Sequence, residues 1–466
     1  MKSVPNFAFH FLGTQIAIIT LASLASFATF ANPHEYILAN GLKLIVKEDH
    51  RSPVVISQIW YKAGSIDELN GTTGIAHALE HMMFKGTKKV RAGEFSRRIA
   101  EAGGRDNAFT GQDYTAYFQQ LHKSRLSLAM GLEADRMRNL KLTKEDFIKE
   151  IKVVMEERRL RTDDQPRSVM HEKMMAVAYQ SHPYARPIIG WMNDLENMSV
   201  HDAQDWYDRW YSPNNAVLVV IGDVNPIEVF SLAQKHYGKI KSRPVPSLAA
   251  RKPQVEPPQI GTKRLVVKAP AQLSYLVMGY HAPALRNADT DWEPYALEML
   301  AGVLDSNASS RLNKELVRNQ RIASSVNASY DFAVRGPSMF YLEGTPSEGK
   351  TVTELEVSLR GEIEKLIRNG VTEEELTRVK AQVIASHVFQ LDSTFYQAMQ
   401  IGKLETIGLS HRDLDVMLKK LQFVTAEQVR EVAKKYLIDD ALTVAMLDPQ
   451  PLEERSLVPS FSELRH

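Results

Sequence analysis

The sequence predicts an α+β protein built from two domains of similar fold. Three observations lead there. A chain of 466 residues exceeds one ordinary core, and two domains of about 200–220 residues each suit that length. Short apolar runs bounded by turn residues interleave with longer amphipathic stretches of helical period. The stretches on either side of a proline-rich segment also echo each other. Residues 199–223 read as a capped helix, then Tyr211, then an apolar strand opening at Ala216; residues 424–448 repeat this with Thr425, Tyr436 and Ala441. A second echo pairs Ala78-Leu79-Glu80 with Ala296-Leu297-Glu298, which sets Tyr295 against His77 and Met299 against His81. The pattern is that of a duplicated fold whose second copy lacks those two histidines.

The elements follow in order. Residues 1–31 read as a secretory signal peptide: Lys2 supplies a positive start, residues 11–30 are mostly apolar and small, and Thr29-Phe30-Ala31 offers small residues for cleavage after Ala31. Asn40-Gly41 between two apolar runs predicts a hairpin, and residues 54–61 predict a further strand. A turn-rich stretch, 67–74, leads into a helix that carries His77 and His81 and ends near Lys85-Gly86, with Gly86 as its C-cap. Residues 94–102 predict a helix broken by Gly103-Gly104, and 106–119 two short strands joined around Gly111. Residues 124–139 and 143–161 predict amphipathic helices, the second capped by Thr143. Residues 216–221 predict an apolar strand. Pro244, Pro246, Pro253, Pro257 and Pro258 make 243–262 a semi-extended linker. The domains are therefore 32–242 and 263–466.

Lys and Arg total 57 against 56 for Asp and Glu, a net charge of +1, so nothing in the balance calls for nucleic acid. No cysteine is present, which removes thiolate nucleophiles and Cys-ligated metals. Beyond the leader no stretch is long and apolar enough to span a bilayer. The protein is expected to be periplasmic or secreted.

The chemistry concentrates at residues 77–81, His-Ala-Leu-Glu-His. On a helix His77, Glu80 and His81 project from one face. Two imidazoles one turn apart can hold one Zn²⁺, with Glu80 placed to act on a water at the metal. The H-x-x-E-H order is the signature of the inverzincins. Histidine is scarce, 14 in the chain, so the pairing stands out against chance. Catalytic zinc usually takes a third protein ligand. Glu150 and Glu157 lie two turns apart on one face of the 143–161 helix, and Glu156 points about 100° away. Spacing alone does not choose among the three. Arg158, Arg159 and Arg161 read as a solvated helix face. His122, His171, His201, His281, His387 and His411 lack ligand-like neighbours, and His182 and Tyr184 suit either the cleft or ordinary packing.

The string His77-Ala78-Leu79-Glu80-His81-Met82-Met83-Phe84-Lys85-Gly86-Thr87 resembles the zinc helix of the M16 metallopeptidases. The resemblance continues through Gly103-Gly104-Arg105-Asp106-Asn107-Ala108-Phe109-Thr110, His182-Pro183-Tyr184 and Tyr211-Ser212-Pro213-Asn214-Asn215-Ala216, and covers nearly the whole chain after the leader. It implies two homologous α+β domains, each a mostly antiparallel sheet with helices against one face. It implies that Glu157, 76 positions after His81, is the third zinc ligand, and that Glu150, seven residues earlier, supports the site. Glu80 becomes the general base of a metalloendopeptidase, and Phe84 part of the cleft wall. Asn107-Ala108 match the family's edge strand, on which an extended substrate adds as a further strand. Peptides and unfolded polypeptides are the expected substrates.

Many family members carry an arginine and, seven residues on, a tyrosine in the second half, both holding substrate. Here Arg318 fits the arginine, after Ser309-Ser310-Arg311-Leu312, but Ser325 stands where the tyrosine is expected and Tyr330 is out of step. The expected active form is therefore a homo- or heterodimer with an M16-like subunit that completes the site. The alternative is a non-catalytic binding or assembly subunit of the same fold.

Overall fold

The computed structural model describes residues 32–452; the signal-peptide expectation for residues 1–31 lies outside the described residues. The first half forms a six-stranded sheet from β1 (His34–Ile37), β2 (Lys43–Glu48), β3 (Val54–Tyr61), β4 (Arg105–Thr110), β5 (Thr115–His122) and β6 (Ala216–Gly222), in the order β1-β2-β6-β3-β5-β4. The second half forms a five-stranded sheet from β7 (Lys263–Pro270), β8 (Tyr275–Ala282), β9 (Ala323–Tyr330), β10 (Ser338–Pro346) and β11 (Leu442–Gln450), in the order β7-β11-β8-β10-β9. Remove β1 and the two orders coincide strand for strand. Each sheet has one parallel pair, β2 with β6 and β7 with β11, and is otherwise antiparallel. The duplication expected from two short sequence echoes is thus carried by the whole topology.

The helices of the first half are α1 (Ile75–Met82), α2 (Glu94–Glu101), α3 (Leu126–Asn139), α4 (Lys144–Arg158), α5 (Pro166–Ala178), α6 (Met192–Asn197), α7 (Val200–Trp210) and α8 (Pro226–Tyr237). Those of the second are α9 (Glu293–Leu304), α10 (Val352–Asn369), α11 (Glu373–Gln390), α12 (Thr394–Ile407), α13 (Asp413–Phe423) and α14 (Ala426–Tyr436). The echoed helices α7 and α14 open on reciprocal capping boxes, Ser199 with Asp202 and Thr425 with Gln428, so the same local device starts the same element twice.

Alternation sorts each strand between two cores. Leu44, Ile59, Leu218 and Val220 point into the core beneath the first half's own helices. Ile45, Ile56, Trp60, Val217, Val219 and Ile221 point the other way, onto Ala398 and Ile401 of α12. In the second half, Leu276, Met278, Phe340 and Val444 join that half's helices, whereas Val277, Met339, Ala445 and Leu447 meet Met170, Met174 and Ala178 of α5. Each half therefore lends one helix to the far face of the other half's sheet. Coverage on both faces explains why every residue of β6 is buried. The lent helix α12 fits closely, for a Cβ on Gly402 would lie 2.1 Å from the Trp60 ring.

Polar contacts lock the exchange. Lys43 Nζ on β2 donates to Glu405 on α12 at 2.7 Å, and Arg335 bonds Asp67 at 2.6 Å. The proline-rich stretch has no strand or α-helix, yet it is pinned: Arg251 bonds Asp67 at 3.0 Å, and the Glu256 carboxylate accepts the backbone N–H groups of Gln180, Ser181 and His182 at 2.6–3.0 Å.

Candidate metal centre

The centre is built where α1 crosses α4. Ile75, Ala76, Ala78, Leu79 and Met82 bury one side of α1 in the core, which leaves His77, Glu80 and His81 on the face toward the cleft. The helix ends at Met82 rather than at Lys85-Gly86, and the chain winds through a looser turn to Gly86 at φ 95°. Its start has no side-chain cap of its own. Glu68, buried beneath it, accepts the N–H groups of Gly74 and Ala76 at 2.8 and 2.9 Å, which satisfies two of the four open donors there.

Helix α4 presents all three candidate glutamates differently. Glu157 Oε2 lies 3.8 Å from His77 Nε2 and 3.3 Å from His81 Nε2, and its other oxygen meets Arg161 at 2.5 Å. Glu150 lies 3.5 Å from the far nitrogen of His81, Nδ1, and binds Lys85 at 2.5 Å. Glu156 is exposed and pairs with Arg159. One donor atom each from His77, His81 and Glu157 falls within 4.8 Å of the others. Two neutral imidazoles and a carboxylate are a borderline-soft set suited to Zn²⁺. Burial, reinforced by His81 and then Arg161, lowers the His77 pKa to about 3, which keeps the neutral ring that metals bind. The fit of these residues to a zinc ion therefore rests on donor type and convergence.

Glu80 is held beside the donors by a hydrogen bond from the Thr110 hydroxyl at the end of β4. Burial pushes its carboxyl up to about 7, against the lowering effect of that hydroxyl. A carboxyl poised there is suited to taking and returning a proton near neutral pH.

The donors open onto a cavity of about 860 Å³ whose lining includes Asn107, Ala108, Phe109 and Thr110 of β4. This strand is an edge of its sheet, so its outer backbone is unpaired within the sheet and available to an extended chain. The opposite wall comes from α5 and the second sheet: His171, Tyr275 and Glu343. The Tyr275 hydroxyl donates to Glu343 at 2.9 Å, and the Arg167 guanidinium stacks 3.9 Å from the Tyr275 ring centroid.

Several expectations are corrected. Phe84 does not line this cavity; its ring packs inward toward Phe95, Tyr117 and the Arg136 guanidinium, because one turn past Glu80 the chain has already left α1. Arg318 is exposed on a π-helical turn, Asn313–Asn319, beside the outer strand β9, and is absent from the cavity lining. Ser325 is on β9, and the Tyr330 hydroxyl donates to Pro283 O. Arg158 is buried in an ion pair with Glu172 rather than solvated. Thr110, His171, Tyr275 and Glu343 also line the cleft, and no motif in the sequence marks them for it. Thr110 stood within the matched β4 string, but nothing local marks the others, since only the packing of the two sheets brings them to the donors.

Comparisons with known proteins place the chain among one family of relatives. Residues 43–191 match the family model described as insulinase (peptidase family M16), and residues 197–383 match the M16 inactive-domain model. The zinc protease PqqE of Helicobacter pylori is 32% identical over 446 residues, spanning 94% of this chain and 97% of that one. An uncharacterised zinc protease of Bacillus subtilis, YmxG, is 25% identical over 414 residues, spanning 89% and 98%. The crystal structure of a Helicobacter pylori protease superposes with a TM-score of 0.84 at 30% identity, covering 90% of this chain and all of that one. The periplasmic protease PqqL of Escherichia coli shares the fold at a TM-score of 0.77 and 16% identity, and this chain covers 91% of itself and 49% of that chain.

Proposed function

We propose, on the premise that this chain belongs to the M16 peptidase family, that it is a zinc metalloendopeptidase acting on peptides and unfolded segments. The observation that carries the reading is the convergence of His77, His81 and Glu157 donor atoms within 4.8 Å, beside a half-buried Glu80. Those three residues would hold the ion. Bound there, Zn²⁺ supplies a Lewis acid for the scissile carbonyl and lowers the pKa of the attacking water.

The chain's own groups do the rest. Glu80 takes the proton of the attacking water and later delivers it to the leaving amine. Thr110 keeps that carboxylate aimed along the cleft. Glu150, partly balanced by Lys85, orients the His81 ring through Nδ1. The unpaired edge of β4 at Asn107-Ala108 binds substrate backbone, so selection is for an extended chain rather than a particular sequence.

The reading includes a second M16-like subunit, either another copy or a zinc-free homologue. Arg318 lies outside the cavity lining and Ser325 replaces the expected tyrosine, so groups that finish the substrate site are supplied from outside this chain. The reading also keeps residues 1–31 as an export leader, with the mature protein in the periplasm or secreted. Among the described residues no helix is long and apolar enough to cross a membrane.

The test is metal-dependence. The purified protein, alone and with a candidate partner, is stripped with a chelator and refilled with Zn²⁺ while an unstructured fluorogenic peptide is followed. Cleavage lost on stripping and regained with zinc supports the reading. Stoichiometric zinc with no cleavage in any pairing favours the non-catalytic assembly subunit, a role consistent with the inactive-domain match over 197–383.

A further inference from the structure

We propose that Arg158 is a positioning residue for the metal centre. Its buried ion pair with Glu172, together with its bond to the Gly190 carbonyl, sets how far the helix carrying Glu157 stands from the helix carrying the two histidines. The inference rests on the zinc reading above.

Arg158 follows Glu157 directly, so its side chain leaves α4 about 100° further round, into the protein rather than the cleft. It is only 5% exposed. Its two terminal nitrogens grip the two oxygens of Glu172 on α5 at 2.7 and 3.0 Å. The same Nη1 donates to Gly190 O at 2.9 Å. The fork fixes angle as well as distance, which a lysine in its place does not. Immediately afterwards the helix loosens into a π turn, Arg159–Asp163, so the side chain that anchors the end of α4 sits at its last regular residue.

Gly190 carries the constraint to α1. Its φ of 89° suits glycine, and an added Cβ would lie 2.3 Å from Thr73 O and 2.7 Å from Gly74 Cα. A Cβ on Gly74 would in turn lie 2.5 Å from Ile189 O. Gly74 is the N-cap of α1, three residues before His77. The joint is pinned again by Trp191 N–H donating to the Thr73 hydroxyl at 3.0 Å, and by Thr73 donating to Asp194 at 2.6 Å. Glu157, Arg158, Gly190 and Gly74 thus form a chain of bonded neighbours and direct contacts that ends at the N-cap of the helix carrying His77. A buried pair of this kind is often replaceable by apolar groups at little cost in stability. What apolar groups do not reproduce is the fixed reach from α4 to the Gly190 carbonyl.

The test separates positioning from folding. Wild type, the paired apolar variant Arg158→Met with Glu172→Met, and the milder Arg158→Lys and Glu172→Gln are compared without metal for thermal stability, then with zinc and cobalt. Zinc affinity is read by chelator competition, and donor geometry by the visible absorption of the Co²⁺ form. The proposal expects each variant that folds to lose roughly 10–100-fold in zinc affinity, the range for outer contacts that orient ligands. It expects an altered cobalt band even where melting of the metal-free protein is unchanged. Folded variants with wild-type affinity and an unchanged cobalt band overturn it. If only the lysine and glutamine variants fold, they decide by the same two readings. A wild type that holds no zinc overturns the zinc reading, and this inference with it.

Discussion

At the proposed metal donors, the roles assigned to neighbouring glutamates can be separated by single substitutions. Glu157→Gln removes a donor charge, and zinc should be lost at chelator concentrations that wild type tolerates. Glu150→Gln leaves the donor set whole but weakens the hold on His81 Nδ1, so zinc affinity should fall by roughly 10–100-fold. An unchanged affinity in Glu150→Gln, by the same competition assay, would show that it does not orient His81. The sequence made the first part of this site legible because His77, Glu80 and His81 are a local helical pattern. It did not separate Glu150 from Glu157 by spacing, since both lie on one face of α4; only the crossing with α1 turns Glu157 toward both Nε2 atoms and Glu150 toward Nδ1 of one. The three arginines after Glu157 looked alike in sequence and differ in structure because the helix turns about 100° per residue: Arg158 is carried inside while Arg159 stays exposed.

Among the elements, α12, like α5, has a place that no local signal foretells. Nothing in its sequence says that the sheet it covers belongs to the other half. The fit against Trp60 predicts that Gly402→Ala overpacks this contact and destabilises the fold by about 1–3 kcal/mol, read by chemical denaturation; a neutral result would mean that α12 can shift off β3 and β6 freely. The same helix carries a pH-dependent latch. Burial alone would raise the Glu405 carboxyl, but hydrogen bonds from His411 and then Lys43 outweigh it and bring the pKa from 4.5 down to about 2. A carboxyl lowered on folding contributes stability that is complete above its unfolded pKa and is lost as pH falls through the folded value. Between about pH 4.5 and 2 the wild type should therefore shed about 3 kcal/mol that Glu405→Gln does not. Parallel stability curves for the two proteins across that range would contradict the assignment. By contrast, β3 and β6 and the capped helices α4, α7 and α14 were legible with small shifts at their ends, because turn residues and N-caps mark them locally.

Over the whole molecule, two sheets of matching order trade one helix each and enclose a cleft that neither half makes alone. The duplication was readable from two short echoes, but the exchange was not, since covering both faces of a sheet is a property of the assembled chain. The cleft takes its proposed metal donors from the first half and Tyr275 and Glu343 from the second, and Arg318 is not in its lining. Cleavage should accordingly depend on pairing: specific activity should fall on dilution below the dissociation constant, or rise when a zinc-free homologue is added, measured by peptide turnover alongside light scattering. Activity per chain that is constant down to the fully monomeric protein would remove the second subunit from the account. The most direct test of the central claim uses the intact protein in its active pairing, wild type against Glu80→Gln, both loaded to the same zinc content, on one unstructured fluorogenic peptide. The account predicts equal zinc and a fall in turnover of about 10²–10⁴-fold in the variant. Equal zinc with equal turnover would contradict it, because proton transfer would then not pass through Glu80.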